Sequence, residues 1–199
     1  AAVHARQLGR GDALILPSIY GIPATLPPVS EGGPQVIEDI AQALGARSGG
    51  QPIGNRGTLG VCSFYATKLM TSGGQGGAVF SQDKALIDAI RDYREFDCRT
   101  DNVLRFNFQM TDIQAAIGRV QLARLPEFLA RRAHLYDIYR SSGLHLLDAA
   151  SAADAPARLR AVVRTKCPSN WIQKLASAGV RAIVPIETSE LLDTPESYP

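Results

Sequence analysis

Histidine and cysteine are scarce in this sequence. There are three of each in 199 residues, His4, His134 and His145, and Cys62, Cys98 and Cys167, and no group of them has metal-ligand spacing. The odd, widely separated cysteines form no CxxC pair and argue against a disulfide framework, so a reducing, cytoplasmic setting is expected. There is no GxSxG to support a serine hydrolase, no GxxxxGK[ST] phosphate loop, and no GxGxxG after the first strands that would mark a dinucleotide-binding turn. Charge of one sign is also missing: 21 Lys and Arg face 19 Asp and Glu, and the basic residues are scattered, so no nucleic-acid or acidic-membrane footprint is present. The longest uncharged stretch, Ala13 to Ser30, is interrupted by Pro17, Pro23, Pro27 and Pro28, and reads as a buried strand followed by a loop, not a membrane span.

What is present is apolar material for a packed domain, 45% of the residues, arranged as short strand-length runs alternating with segments of helical period. This is the pattern of an α/β domain with a mostly parallel sheet. Strands are expected at Ala13 to Pro17, Gln35 to Glu38, Thr58 to Phe64 and Gly77 to Ser81. Helices are expected at Ile40 to Ala46, Asp83 to Glu95, Thr111 to Leu125 and Glu127 to Ser141, with Pro126 as a break between the last two. Leu86, Ile87, Ile90 and Tyr93 share one helix face; Ile113, Ala116, Ile117, Val120 and Leu125 share another, behind a Thr111/Gln114 capping-box signature. The Ala- and Asp-rich stretch Asp148 to Arg158 reads as a linker. A small βαβ unit should follow it, with strands at Arg160 to Thr165 and Val180 to Pro185, a helix at Ser169 to Ala178 closed by Gly179, and a loose tail to Pro199.

Three stretches carry candidate chemistry, each expected near the carboxyl end of a strand, the usual ligand side of an open α/β sheet. In Val36-Ile37-Glu38-Asp39-Ile40-Ala41-Gln42, Asp39 and Gln42 lie one helical turn apart and can address one ligand; equally, Asp39 could cap a helix and Gln42 face solvent. In Ser63-Phe64-Tyr65-Ala66-Thr67-Lys68, followed by Gly73-Gly74-Gln75-Gly76-Gly77, Lys68 is either a solvated loop residue or an amine poised to form a Schiff base with a carbonyl cofactor. In the run from Arg105 through Asn107 to Leu122, Ala115, Ala116 and Gly118 can be explained by close helix packing alone, and Asn107 is the one candidate polar contact.

Taken in order, VIEDIAQALGA, SFYATK with its GGQGG turn, and NFQMTDIQAAIG make the chain resemble the DegT/DnrJ/EryC1/StrS family of pyridoxal-phosphate-dependent sugar aminotransferases, from about Ala13 through most of its length. The resemblance implies a three-layer αβα large domain of the aspartate-aminotransferase-like, fold type I class, truncated and spanning residues 1–125, with a partial C-terminal α+β small domain over 126–199. It implies pyridoxal 5'-phosphate as cofactor, with Lys68 as the catalytic Schiff-base lysine and Asp39 paired with the pyridine nitrogen. Gln42 would lie against the ring and its hydroxyl, Ser63 would bind the phosphate, and Asn107 would reach the phosphate of a neighbouring subunit in a homodimer. The implied reaction transfers an amino group, usually from glutamate, to a keto group on a nucleotide-linked sugar.

Several positions depart from the family pattern. Gln75 replaces the Glu of a GEGG turn, with one extra residue after Lys68; Gln109 stands where Arg is common; and Ser18 replaces a frequent His before Tyr20-Gly21. Lys68 itself argues against the family's dehydratase branch, in which a His takes that place. Ala1 is expected to correspond to a point inside the usual large domain, so that strands and a helix terminus cradling the phosphate would precede it. Two alternatives stand beside the enzyme reading: a non-catalytic truncated relative acting as an oligomerising or interaction subunit, and a bare Rossmann-type nucleotide binder.

Overall fold

A computed structural model describes residue 9 and residues 11–28 and 32–186. The expected tail to Pro199 lies largely outside the described residues. The chain divides into two compact units, Ala1–Val162 and Val163–Pro199.

The first unit is built on a four-stranded sheet in the order β1 (Ala13–Pro17), β2 (Gln35–Asp39), β5 (Leu59–Ser63) and β6 (Gly77–Phe80). Strands β1, β2 and β5 run parallel, and β6 returns antiparallel beside β5. A small antiparallel pair, β3 (Arg47–Ser48) and β4 (Gln51–Pro52), stands apart. The four expected strands are therefore found, each within a residue or so. Side-chain alternation gives the main sheet two distinct faces. One carries Leu16, Val36, Glu38 and Cys62, all buried, over a core of Ile40, Ala43, Ala46, Ile53, Leu69, Leu125, Ala157 and Leu159. The opposite face carries Ile15, Ile37, Leu59, Val61 and Val79, with Ile15 63% and Val79 41% exposed.

Helix α1 (Lys84–Tyr93) starts at Asp83, whose carboxylate accepts the Ala85 and Leu86 N–H groups. Helix α2 (Asp112–Ser141) has the expected capping box: Thr111 accepts the Gln114 N–H and Gln114 accepts the Thr111 N–H. It is one helix of 30 residues that runs through Pro126 without a break. Proline removes a single intrahelical hydrogen bond there, while Leu125 and Leu129 on either side pack into the core and hold the helix continuous. The apolar face expected to bury at its start is instead open, with Ile113 76% and Val120 62% exposed.

Other expectations also give way. Ile40 to Ala46 is not a helix but two successive tight turns, Ala43 N–H to Ile40 C=O and Ala46 N–H to Ala43 C=O, ended by Gly45 at φ 86°. Seven residues between two strands leave no room for a nucleated helix. Asp148 to Arg158 is no free linker: Ala155 bridges Arg47, and Ala157, with Leu159 just beyond, enters the core. This approach requires Gly21, because a Cβ there would lie 2.6 Å from the Leu159 nitrogen. No strand forms at Arg160 to Thr165 or Val180 to Pro185. The second unit contains α3 (Pro168–Ser177), closed as expected by Gly179 at φ 75°. Val180 N–H reaches Leu175 C=O and Gly179 N–H reaches Ala176 C=O, the Schellman pattern.

Candidate active site

The sheet register brings two of the expected residues to one edge. Asp39 ends β2 and is paired with Val61 of β5, two residues before Ser63, so Asp39 and Ser63 project from the same face at the carboxyl ends of adjacent parallel strands. Gln42 follows Asp39 in the turn region and is half-buried. Lys68, also half-buried, sits in the loop between β5 and β6. That loop leaves and re-enters the sheet at one place, since Ser63 is paired with Gly77. Inside it, Phe64 N–H reaches Gly76 C=O, Ser72 N–H reaches Phe64 C=O, and Lys68 N–H reaches Tyr65 C=O at 3.0 Å. The loop is thus pinned at its ends and again at its middle.

The polar groups at this edge are only partly spent. Asp39 Oδ1 accepts the Ala41 N–H at 2.9 Å. Ser63 Oγ accepts the Tyr65 N–H at 3.2 Å, and Gln42 Oε1 accepts the Tyr20 N–H at 2.8 Å. A second carboxylate oxygen, a hydroxyl proton and an amide NH2 therefore remain for a ligand. Among the described residues, no carboxylate forms an ion pair with Lys68. An acid for a ring nitrogen, donors for a ring oxygen and a phosphate, and a free amine are the donor set that pyridoxal phosphate needs, and the residues present fit it.

Asn107 is placed elsewhere. It lies exposed in an extended segment whose backbone runs beside the end of α1, with Phe106 N–H on Tyr93 C=O and Phe108 N–H on Arg94 C=O. The rings of Phe106 and Phe108 stack at 5.1 Å there. Among the described residues no hydrogen bond joins this segment to Lys68.

Sequence reasoning missed the groups that hold this edge in place. Glu38, 1% exposed, points to the face opposite Asp39 and accepts four hydrogen bonds: Arg56 Nε at 2.8 Å, Nη2 at 2.6 Å, and the N–H groups of Arg56 at 2.6 Å and Gly57 at 3.0 Å. Burial opposes its charge, but Arg56 and the surrounding backbone N–H groups outweigh that and hold the carboxyl below its ordinary range. The loop that supplies these donors can sit on the sheet only because Gly60, the β5 partner of Glu38, has no Cβ. A Cβ there would lie 1.9 Å from the Gly54 carbonyl oxygen. A signal existed in the sequence: Glu38 has the same strand parity as buried Val36. Ser72 in the Lys68 loop is fully buried, its hydroxyl without a partner among the described residues, close under Gly118 of α2, where a Cβ would lie 2.9 Å from Ser72 Oγ. Cys62, beside Ser63, is no nucleophile at neutral pH, because burial pushes its thiol up to about 11 against the Ala78 backbone hydrogen bond.

Among the described residues no helix is long and apolar enough to cross a membrane, and no cluster of His, Cys, Asp and Glu could hold a metal ion. Comparison with known proteins gives a consistent picture. The DegT/DnrJ/EryC1/StrS aminotransferase family is matched over residues 2–173. The erythromycin biosynthesis sensory transduction protein EryC1 of Saccharopolyspora erythraea is 32% identical over 185 residues, covering 86% of this chain and 50% of that protein. A dTDP-3-amino-3,4,6-trideoxy-alpha-D-glucose transaminase of Streptomyces venezuelae is 34% identical over 139 residues, 66% of this chain and 37% of that one. The crystal structure of S. venezuelae DesV, in complex with a ketimine intermediate, superposes with a TM-score of 0.77 at 27% identity, over 94% of this chain and 53% of DesV. The chain spans about half, or less, of the length of these relatives. Its fold is that of the pyridoxal-phosphate-dependent aminotransferases, and pyridoxal 5'-phosphate is the cofactor that goes with it. The chain belongs to the DegT/DnrJ/EryC1/StrS aminotransferase family.

Proposed function

We propose that this chain carries the reactive centre of a sugar aminotransferase that takes an amino group from glutamate and delivers it to a keto sugar, nucleotide-linked like those named for its relatives. The observation that carries this reading is the placement of Asp39 and Ser63 on one face at the ends of paired parallel strands, with Lys68 in the next loop. Lys68 Nζ would hold the cofactor and would serve as the base at the substrate carbon that bears the nitrogen. Asp39, through the oxygen not engaged by Ala41, keeps a proton on the ring nitrogen. Gln42 Nε2 donates to the ring hydroxyl, and Ser63 Oγ donates to a phosphate oxygen. When bound, the cofactor would supply the electron sink for this chemistry.

In the same proposal, residues 1–125 serve as the cofactor-binding large domain and 126–199 as the small domain, a functional division separate from the compact units that meet after Val162. The assembly is a homodimer in the cytoplasm in which Asn107 reaches the phosphate held by the neighbouring subunit.

The test is direct. The 199-residue protein mixed with pyridoxal 5'-phosphate should develop a visible absorption band that glutamate bleaches. Lys68→Ala should abolish the band, and Asp39→Asn should leave it but slow the bleaching by at least ~100-fold, as expected for loss of a group acting in the transition state. A protein that folds and yields no band, or a band that survives Lys68→Ala, overturns the reading. The exposed face with Ile15 and Val79 supports a second one, a non-catalytic subunit that assembles through this surface. It predicts assembly without a band.

A further inference from the structure

Tyr20 follows β1 in the turn Ile19–Gly21, at the carboxyl edge that carries Asp39, and its backbone is left-handed, φ 61° and ψ 12°. For a bulky residue this conformation is strained, and glycine would adopt it freely. The turn is nonetheless fixed in it from three sides. Tyr20 N–H donates to Gln42 Oε1 at 2.8 Å, Tyr20 C=O accepts the Arg160 N–H at 3.3 Å, and Ser18 N–H just before it donates to the Asp39 C=O at 2.9 Å. Those backbone contacts need the left-handed geometry, but they do not need a tyrosine. The residue is half-buried, and among the described residues its hydroxyl has no hydrogen-bond partner and its ring no aromatic or cationic one. The contrast with Tyr136 is plain, since that phenol reaches Leu147 C=O and its ring lies under Arg158. A strained residue at a ligand-bearing edge, with a polar tip that finds no partner among the described residues, points to a role toward a ligand.

We propose that Tyr20 is a ligand-contact residue of this site, its ring and phenol addressing the sugar of a nucleoside-diphosphate sugar. An amphipathic ring with a hydroxyl at its tip suits a pyranose, which offers an apolar C–H face and hydroxyl groups at its edge. Gln42 contributes by holding the Tyr20 backbone while its own NH2 remains free for the ring hydroxyl. The inference rests on the sugar aminotransferase reading, yet it can fail separately.

The experiment uses the full chain with dTDP-glucose and UDP-N-acetylglucosamine as probes, measured by calorimetric titration, alongside thermal melting without ligand. Tyr20→Gly should melt above Tyr20→Ala by about 2–4 °C, because both lose the ring and only glycine relieves the strain. Both should bind the better probe at least ~10-fold more weakly than the native protein, with Tyr20→Phe between them and native, having lost the phenol alone. Binding lost in a glycine variant that keeps a cooperative melt, and partly lost in Tyr20→Phe, is what a purely structural tyrosine would not give. Native-like binding by Tyr20→Gly, or no binding of either probe by the native protein, overturns the proposal. Tyr20-dependent sugar binding without a visible cofactor band would sink the catalytic reading and leave this one standing; a Lys68-dependent band with Tyr20-independent binding would do the reverse.

Discussion

Replacing Arg56 by Ala should strip half of its hydrogen bonds from the best-satisfied carboxylate among the described residues. In the native chain the Arg56 guanidinium supplies two of the four hydrogen bonds to Glu38, and the pair lies 1% and 17% exposed. Breaking a buried pair from one side costs about 3–5 kcal/mol because the other charge stays behind. The two backbone donors from Arg56 and Gly57 survive the substitution, so about 3 kcal/mol is expected, or about 6–12 °C in melting temperature for a chain of this size. The acid dependence should also change sign. In the native protein Glu38 titrates below its ordinary 4.5, so its contribution is complete above that value and is lost as the pH falls through the lower folded value. Without Arg56 burial dominates, the folded carboxyl titrates above the unfolded one, and acidification relieves the variant. The gap between native and variant melting curves, followed by circular dichroism, should therefore narrow between about pH 7 and about pH 4. A variant that melts within about 2 °C of native at neutral pH, or a gap that widens in acid, would refute this account of what fixes the end of β2.

Two further substitutions probe the packing behind the site. Ser72→Ala removes a buried hydroxyl that has no partner and should raise the melting temperature by about 2–4 °C, an unsatisfied group costing ~1 kcal/mol or more; a fall would mean that the hydroxyl is engaged after all. Gly60→Ala places a Cβ 1.9 Å from the Gly54 carbonyl oxygen and 2.4 Å from the Phe80 ring, so the chain should fail to fold, read as loss of soluble protein and of a cooperative melt. A soluble Gly60→Ala protein with native melting would show that the loop can retreat from β5. With the Lys68 and Tyr20 experiments above, these cover the chemistry, the rim and the support of the site.

The strands were legible because Ala13–Pro17 and Leu59–Ser63 are short apolar runs of strand length, and helix starts and stops were legible at Thr111 and Gly179 because capping chemistry is local. What the sequence hid is tertiary. Continuity of α2 through Pro126 depends on Leu125 and Leu129 finding the core, and the docking of Ala157 and Leu159 depends on a missing Cβ at Gly21, more than a hundred residues earlier. The same limit applies to the site. Asp39, Gln42, Ser63 and Lys68 could be picked by residue type and order, but that Asp39 and Ser63 share a face follows from the pairing of Asp39 with Val61, which no local pattern states. The left-handed Tyr20 and the Glu38–Arg56 clamp likewise arise from partners distant in sequence.

The Lys68 loop begins at Ser63 and ends at Gly77, and those two residues face each other across β5 and β6. Both ends of the loop are therefore soldered to one spot, and residues added or removed between them change nothing in the strand register. A residue added after Lys68 can be taken up inside the closed ring, where Gly73, Gly74 and Gly76 all adopt positive φ. For protein engineering, this makes the loop a place to reshape the surroundings of the lysine, provided that the Gly74 and Gly76 carbonyls holding the Ala66 and Phe64 N–H groups are kept.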